Sequence, residues 1–200
     1  QAIEDIATMR VMANMKVIVP CDAIEAKKAT LSAAKIWGPV YLRFGREKMP
    51  VFTTDATPFN VGKAEIFWES KGKFKKPQVA IIACGSLVHN ALMAAKELEE
   101  EGIGTIVVNN HTIKPLDEKS LLKAAELCGA VVTVEEHQVM GGLGGAVAEL
   151  LAKNYPVPME FIGMQNVFGE SGVPKELIKK YGMGVEDIKS AVKKVLRRKG

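Results

Sequence analysis

The stretch Gln78-Val79-Ala80-Ile81-Ile82-Ala83-Cys84-Gly85-Ser86-Leu87 decides the fold. Val79 to Ala83 is apolar at every position, the mark of a strand covered on both faces in a parallel sheet. Gly85-Ser86 turns the chain, and a helix follows over 87–101. Ala91, Ala95 and Leu98 form its packed face, while Glu97, Glu99, Glu100 and Glu101 are mostly solvated. Gly102 stops it as a left-handed terminator. Downstream the alternation repeats. A strand over 103–108 precedes a helix that begins at Asp117 and carries Leu121, Leu122 and Ala125. Ala130-Val131-Val132-Thr133-Val134 is the next central strand, and Gly141-Gly142-Leu143-Gly144-Gly145 leads into a helix with Val147, Leu150 and Leu151. Met159-Glu160-Phe161-Ile162 is a further strand, Pro174 sits in the first turn of a short helix, and the last helix spans 186–198. Upstream, Glu65-Ile66-Phe67-Trp68 reads as an edge strand and Lys71 to Lys76 as a polar hairpin or loop. The fold class is α/β: an open, mainly parallel five-stranded sheet with helices on both faces.

An incomplete α/β fragment precedes it. Residues 1–46 read as helix, strand (Lys16 to Val19), helix and strand (Pro39 to Phe44). Asp22 and Glu25 have the capping-box spacing at the start of the second helix. Two parallel strands cannot bury both sheet faces, and about 46 residues make a barely stable domain. The segment therefore reads as the tail of a larger domain. Val17, Val19, Val40 and Leu42 are expected to expose apolar edges, or to cover them by oligomerising. The opening Gln1-Ala2-Ile3-Glu4-Asp5 lacks an initiator Met and a secretory signal, and is expected to result from processing or truncation. The expected boundaries are 1–46 for the remnant, 47–62 for an ordered linker and 63–200 for the complete domain.

Composition narrows the function classes. Of 200 residues, 48% are apolar, enough for a real core, and no 18-residue apolar stretch is free of charge, which excludes a membrane-spanning helix. Cys21, Cys84 and Cys128 form no CxxC pair, arguing against a disulfide scaffold or structural zinc and for buried thiols. The net charge of +4 owes much to Lys189, Lys193, Lys194, Arg197, Arg198 and Lys199, a solvated helix face rather than a nucleic-acid contact.

Few motifs carry chemistry. The glycine run at 141–145 is the nearest thing to a phosphate cradle, but tight turning or close packing explains it as well. Gly85-Ser86-Leu87 lacks the frame of a nucleophile elbow. His111 and His137 fall just past strand ends, where open α/β sheets bind ligands. With Glu136 they could form a metal site, although the spacing matches no metal signature; structural hydrogen bonding or an interface role is the plainer reading. His89 is expected to be exposed. Arg43 and Arg46 flank Gly45 at a strand's C-terminal end, a place suited to holding a phosphate, with a surface ion pair to Glu47 as the alternative.

Several of these residues resemble a known family. Gln1-Ala2-Ile3-Glu4-Asp5-Ile6-Ala7, Asn14 to Asp22 and Gly38-Pro39-Val40-Tyr41-Leu42-Arg43 resemble the end of the pyrimidine-binding domain of transketolases. Thr112 to Asp117, Val132-Thr133-Val134-Glu135-Glu136-His137, Gly141-Gly142-Leu143-Gly144 and Phe168-Gly169-Glu170-Ser171-Gly172 are similar to that family's C-terminal domain. The likeness is greatest to the C-terminal half of a split transketolase. It implies a cytoplasmic dimer that uses thiamine diphosphate and Mg²⁺ to move a two-carbon ketol unit between sugar phosphates in the pentose phosphate pathway.

The resemblance also implies what this chain lacks. The residues that hold the diphosphate and metal, and those that activate and stack the aminopyrimidine, fall outside it, as does a substrate-contacting histidine. No catalytic, cofactor-binding or metal residue carries over; Arg46 alone does, as a substrate-phosphate contact. The fragment is expected to bind no cofactor and to be inactive by itself. Its implied partners are an N-terminal transketolase section and a second copy met through the C-terminal section, with neither nucleic acid nor membrane. 1-Deoxyxylulose-5-phosphate synthase and the β subunit of a 2-oxo acid dehydrogenase share the two-domain plan and remain alternatives. So does a non-catalytic scaffold or regulatory subunit.

Overall fold

The computed structural model describes residues 2–70, 74 and 76–199. Its main sheet has the order β3-β5-β4-β7-β8, from Glu65–Glu69 (β3), Val79–Ala83 (β4), Thr105–Asn109 (β5), Val131–Gln138 (β7) and Met159–Met164 (β8). All neighbours are parallel except β3, which runs antiparallel at the edge. The 71–76 loop falls largely outside the described residues.

Side-chain alternation along β4 divides the core. Val79, Ile81 and Ala83 face one layer with helices α3 (Val88–Glu100) and α7 (Val185–Arg198). Ala80 and Ile82 face the other, with α4 (Glu118–Cys128) and α5 (Leu143–Asn154). A short helix, α6 (Pro174–Lys180), starts on its proline as expected.

The first unit contributes α1 (Asp5–Val11), β1 (Lys16–Ile18), α2 (Ala23–Ala33) and β2 (Val40–Leu42). Here the structure corrects the sequence reading. Strand β6 (Thr112–Lys114) leaves the end of β5 and pairs antiparallel with β1, making a second sheet of order β2-β1-β6. Val17 and Val19 are therefore buried within one chain, in the same cluster as Ala80, Ile82 and Val108. They need no second copy to cover them. Val40 and Leu42, on the outer strand, are half-buried.

Asp22 fastens the connecting segment. Its carboxylate accepts Glu25 N–H at the start of α2 and also Phe52 N–H (2.9 Å), Thr53 N–H (2.7 Å) and Thr53 Oγ–H (2.7 Å). Burial opposes ionisation, but these bonds outweigh it and hold Asp22 below the usual carboxylate range. Glu25 reaches back to Cys21 N–H, one residue before the cap. None of the helices in the described residues is long and apolar enough to cross a membrane.

Candidate functional site

Arg46 lies in the loop after β2, exposed, and among the described residues it forms no ion pair, with Glu47 or any other carboxylate. What holds that loop is Arg43. Its backbone N–H donates to Ile18 O (2.9 Å), extending the ladder between β1 and β2. Its side chain turns inward: Nε donates to Asp5 Oδ2 (2.9 Å) and Nη2 to Ala2 O (3.0 Å). Tyr41 Oη–H donates to the same Asp5 oxygen (2.8 Å). The two arginines thus divide the roles, Arg43 internal and Arg46 free.

Helix α1, which carries Asp5, is clamped by the second unit. Its N-cap Glu4 makes no side-chain cap. His137, from β7, replaces it: Nε2 accepts Ile6 N–H (3.1 Å) and, more weakly, Ala7 N–H (3.4 Å). Nδ1 lies 2.7 Å from Gln138 O and donates to it, which fixes the neutral tautomer. Burial lowers the His137 pKa. At the other end, Lys114 Nζ donates to Arg10 O (2.8 Å) and Met12 O (2.7 Å). Arg10 pairs with Glu149 and donates to Gly141 O.

The glycine run does hold an anion-type group, from within the chain. Gly142 is the N-cap of α5 and has no side chain to serve it. Glu135 accepts Leu143 N–H through Oε2 (2.7 Å) and Gly144 N–H through Oε1 (2.8 Å). Burial pushes the Glu135 pKa up to about 8, against those two hydrogen bonds. A Cβ on Gly142 would stand 2.0 Å from Glu135 Oε2, and one on Gly144 2.7 Å from the Phe161 ring. Gly141 takes φ +78°, a conformation that other residues rarely adopt.

The remaining candidates are not brought together. His137 lies inside β7, which extends to Gln138, rather than past its end. Glu136 points to the opposite face and accepts Ser86 Oγ–H (2.6 Å), so Ser86 faces a carboxylate and not an imidazole. His111 is buried between β5 and β6, stacked on Phe59 with ring centroids 4.2 Å apart. Its Nδ1 bonds Thr112 Oγ1 (2.8 Å), and burial lowers its pKa to about 4. The described residues contain no group of three or more His, Cys, Asp or Glu arranged to hold a metal. His89 is half-buried against Phe52, not exposed, because the connecting segment folds over it. The three cysteines are buried, as expected.

The basic C-terminal face is largely committed internally. Lys189 pairs with Glu97 (2.7 Å), Glu101 (3.0 Å) and Glu186 (3.1 Å), and Lys193 with Glu101 (2.6 Å). Lys194 and Arg198 both pair with Glu160, and Lys199 donates to Gln78 O and Cys128 O.

Known proteins share this arrangement. The family description "Transketolase, C-terminal domain" matches residues 70–188, and "Transketolase, pyrimidine binding domain" matches 1–51. The chain belongs to the transketolase family. The 6-deoxy-6-sulfo-D-fructose transketolase subunit of Clostridium sp. (strain MSTE9) is 38% identical over 99% of this chain and 60% of that protein. An apulose-4-phosphate transketolase subunit of Phocaeicola vulgatus is 36% identical over 94% of this chain and 58% of its own length. A solved split-gene transketolase, described as an inactive beta4 tetramer, superposes with a TM-score of 0.93 at 44% identity, over all of this chain and 64% of that one. The chain thus spans about 60% of the length of these transketolase relatives.

Sequence reasoning missed Asp5, Glu135 and the clamping of α1. A usable signal was present for Glu135: a helix beginning in glycines cannot cap itself, so a carboxylate must come from elsewhere.

Proposed function

We propose that this chain is the C-terminal part of a split, thiamine-diphosphate-dependent transketolase, a transferase that moves a two-carbon ketol unit between sugar phosphates in the cytoplasm. Arg46 binds the terminal phosphate of the substrate. The observation that carries the reading is the exposed Arg46 guanidinium in the loop after β2, unpaired among the described residues, while the neighbouring Arg43 turns inward and is paired. A planar fork of donors suits a phosphate.

The groups that hold the diphosphate and Mg²⁺ belong to the N-terminal section with which the parent chain assembles, those that activate and stack the aminopyrimidine lie in the parent chain before Gln1, and a second copy joins through the C-terminal domain. When bound there, the cofactor supplies the carbanion chemistry of ketol transfer. This chain's share is positional. Arg46 neutralises the phosphate and sets how deeply the sugar enters, while β1, β2 and α1 hold its loop against the C-terminal domain. Pentose phosphates are the proposed substrates. The relative named for apulose 4-phosphate suits this division, in which the chain recognises a phosphate while residues elsewhere choose the sugar; the relative named for 6-deoxy-6-sulfo-D-fructose acts on a sugar whose terminal anion is a sulfonate.

The test is Arg46→Ala in the complete assembly. KM for phosphorylated substrates rises by about tenfold or more, with a smaller rise in Arg46→Lys, while an unphosphorylated aldehyde acceptor is used as before. An unchanged KM for the phosphorylated substrates removes Arg46 from the site.

A further inference from the structure

We propose that His137 is a positioning residue for the substrate-phosphate site: from the C-terminal unit it holds the start of α1 and, through Asp5 and Arg43, fixes the loop that carries Arg46. The proposal rests on the reading of Arg46 given above.

Each link is a named contact. His137 accepts the N–H groups of Ile6 and Ala7, a task that Glu4 leaves undone. Asp5, the first residue of α1, accepts from Arg43 Nε and Tyr41 Oη–H on its Oδ2. Its Oδ1 is buried without a hydrogen-bond partner in the structure and lies 4.0 Å from His137 Nε2. Arg43 is three residues before Arg46, and it also grips Ala2 O, so the segment entering α1 and the loop leaving β2 move together.

The geometry favours one state of the imidazole. Nε2 can accept from Ile6 and Ala7 only while it carries no proton, and Nδ1 already donates to Gln138 O. Three ionisable groups face the ring: Asp5 from α1, Glu135 from β7 (Oε2 3.7 Å from Nδ1) and Arg43 from the end of β2. Burial keeps the ring neutral. Lys114 and Arg10 fix the far end of α1 to the second unit, so slackness released at His137 is taken up at Asp5 and Arg43. A misplacement of about 1 Å caused by a remote mutation can cost an enzyme about 10²-fold.

The experiment compares variants in the parent chain assembled with its N-terminal partner, thiamine diphosphate and Mg²⁺. His137→Leu removes the acceptor. The expected result is a KM for ribose 5-phosphate raised about tenfold with kcat changed less than about twofold, and faster hydrogen exchange across 5–11. His137→Gln places Oε1 where Nε2 stood and restores both. Arg46→Ala is the reference. If His137→Leu leaves KM unchanged while Arg46→Ala raises it, the relay is overturned and the phosphate site stands. Should Arg46→Ala leave KM unchanged too, the reading of Arg46 fails and the relay with it. If His137→Leu does not assemble, Asp5→Asn decides: a KM raised about threefold supports the relay, and a wild-type KM overturns it.

Discussion

The two faces of the main sheet are closed in different ways. On one face α3 and α7 pack on Val79, Ile81, Val107, Val132 and Val134, with Cys21, Ile3 and Phe52 of the preceding segments joining at the margin, and the ion pairs of Lys189 and Lys193 with Glu97, Glu101 and Glu186 stay at the rim. The other face is shared. There α4 and α5 cover only part of the surface, and α1 with β1 of the first unit completes it. Polar groups enter that layer: Glu135 caps α5, and His137 caps α1. The face that α3 and α7 mainly cover is apolar over most of its area. A face joined to a separate unit uses directional hydrogen bonds, which fix how the two units meet. That is where the loop carrying Arg46, the proposed phosphate contact, obtains its position.

The shared face should be the more sensitive. Glu135→Ala leaves the Leu143 and Gly144 N–H groups buried without acceptors, which costs about 4 kcal/mol. For a chain of this size the melting temperature falls by roughly 10 °C, as scanning calorimetry would record. A loss below about 1 kcal/mol would mean that the cap carries little.

Acid should act next. His111 moves from an ordinary 6.5 to about 4 on folding, so the unfolded state binds the proton first as pH falls. Stability is fully present above pH 6.5 and declines toward pH 4, by about 3 kcal/mol from this group. His137 shifts in the same direction. Glu135 has the opposite sign: its pKa rises from 4.5 to about 8, so its contribution is greatest below pH 4.5 and is lost as pH climbs to 8. Denaturant melts from pH 4 to 8 should show a smaller acid decline in His111→Gln than in wild type, with the share of His137 remaining, and a smaller alkaline decline in Glu135→Gln, with the share of Glu25 remaining.

Close packing at the glycines comes third. Gly144→Ala brings a methyl within 2.7 Å of Phe161 and 2.9 Å of Thr133 Oγ1 and should cost about 2 kcal/mol. The rim of the α3/α7 face should be most tolerant. Glu160→Gln breaks the pairs with Lys194 and Arg198 on partly exposed surface, costs less than about 1 kcal/mol, and the difference fades in high salt. If Glu160→Gln proved costlier than Glu135→Ala, the contrast between the faces would be inverted.

The main sheet was legible because its signal is local. The apolar run Val79 to Ala83 and its successors declare buried parallel strands, and all five strands and their flanking helices stand near the positions that periodicity gives. Strand β6 was not legible, since Thr112-Ile113-Lys114 is too short to show a period and becomes a strand only by meeting β1. The fate of Val17 and Val19 depended on that meeting. At the candidate site, position after β2 pointed to Arg43 and Arg46 alike, and the family resemblance singled out Arg46. The partners of His137 were not: Ile6 is 131 residues away, and nothing in the local sequence announces such a contact. Likewise, the C-terminal lysines read as a solvated face because their carboxylates lie on α3 and β8, far off in sequence.

The most direct test of the account is reconstitution. The parent chain, its N-terminal partner, thiamine diphosphate and Mg²⁺ would be mixed, and ketol transfer from xylulose 5-phosphate to ribose 5-phosphate measured, with each half alone as control. The account predicts transfer in the mixture and in neither half. No transfer from a verified complex would contradict it, and turnover of pyruvate instead would move the chain to another thiamine-dependent reaction.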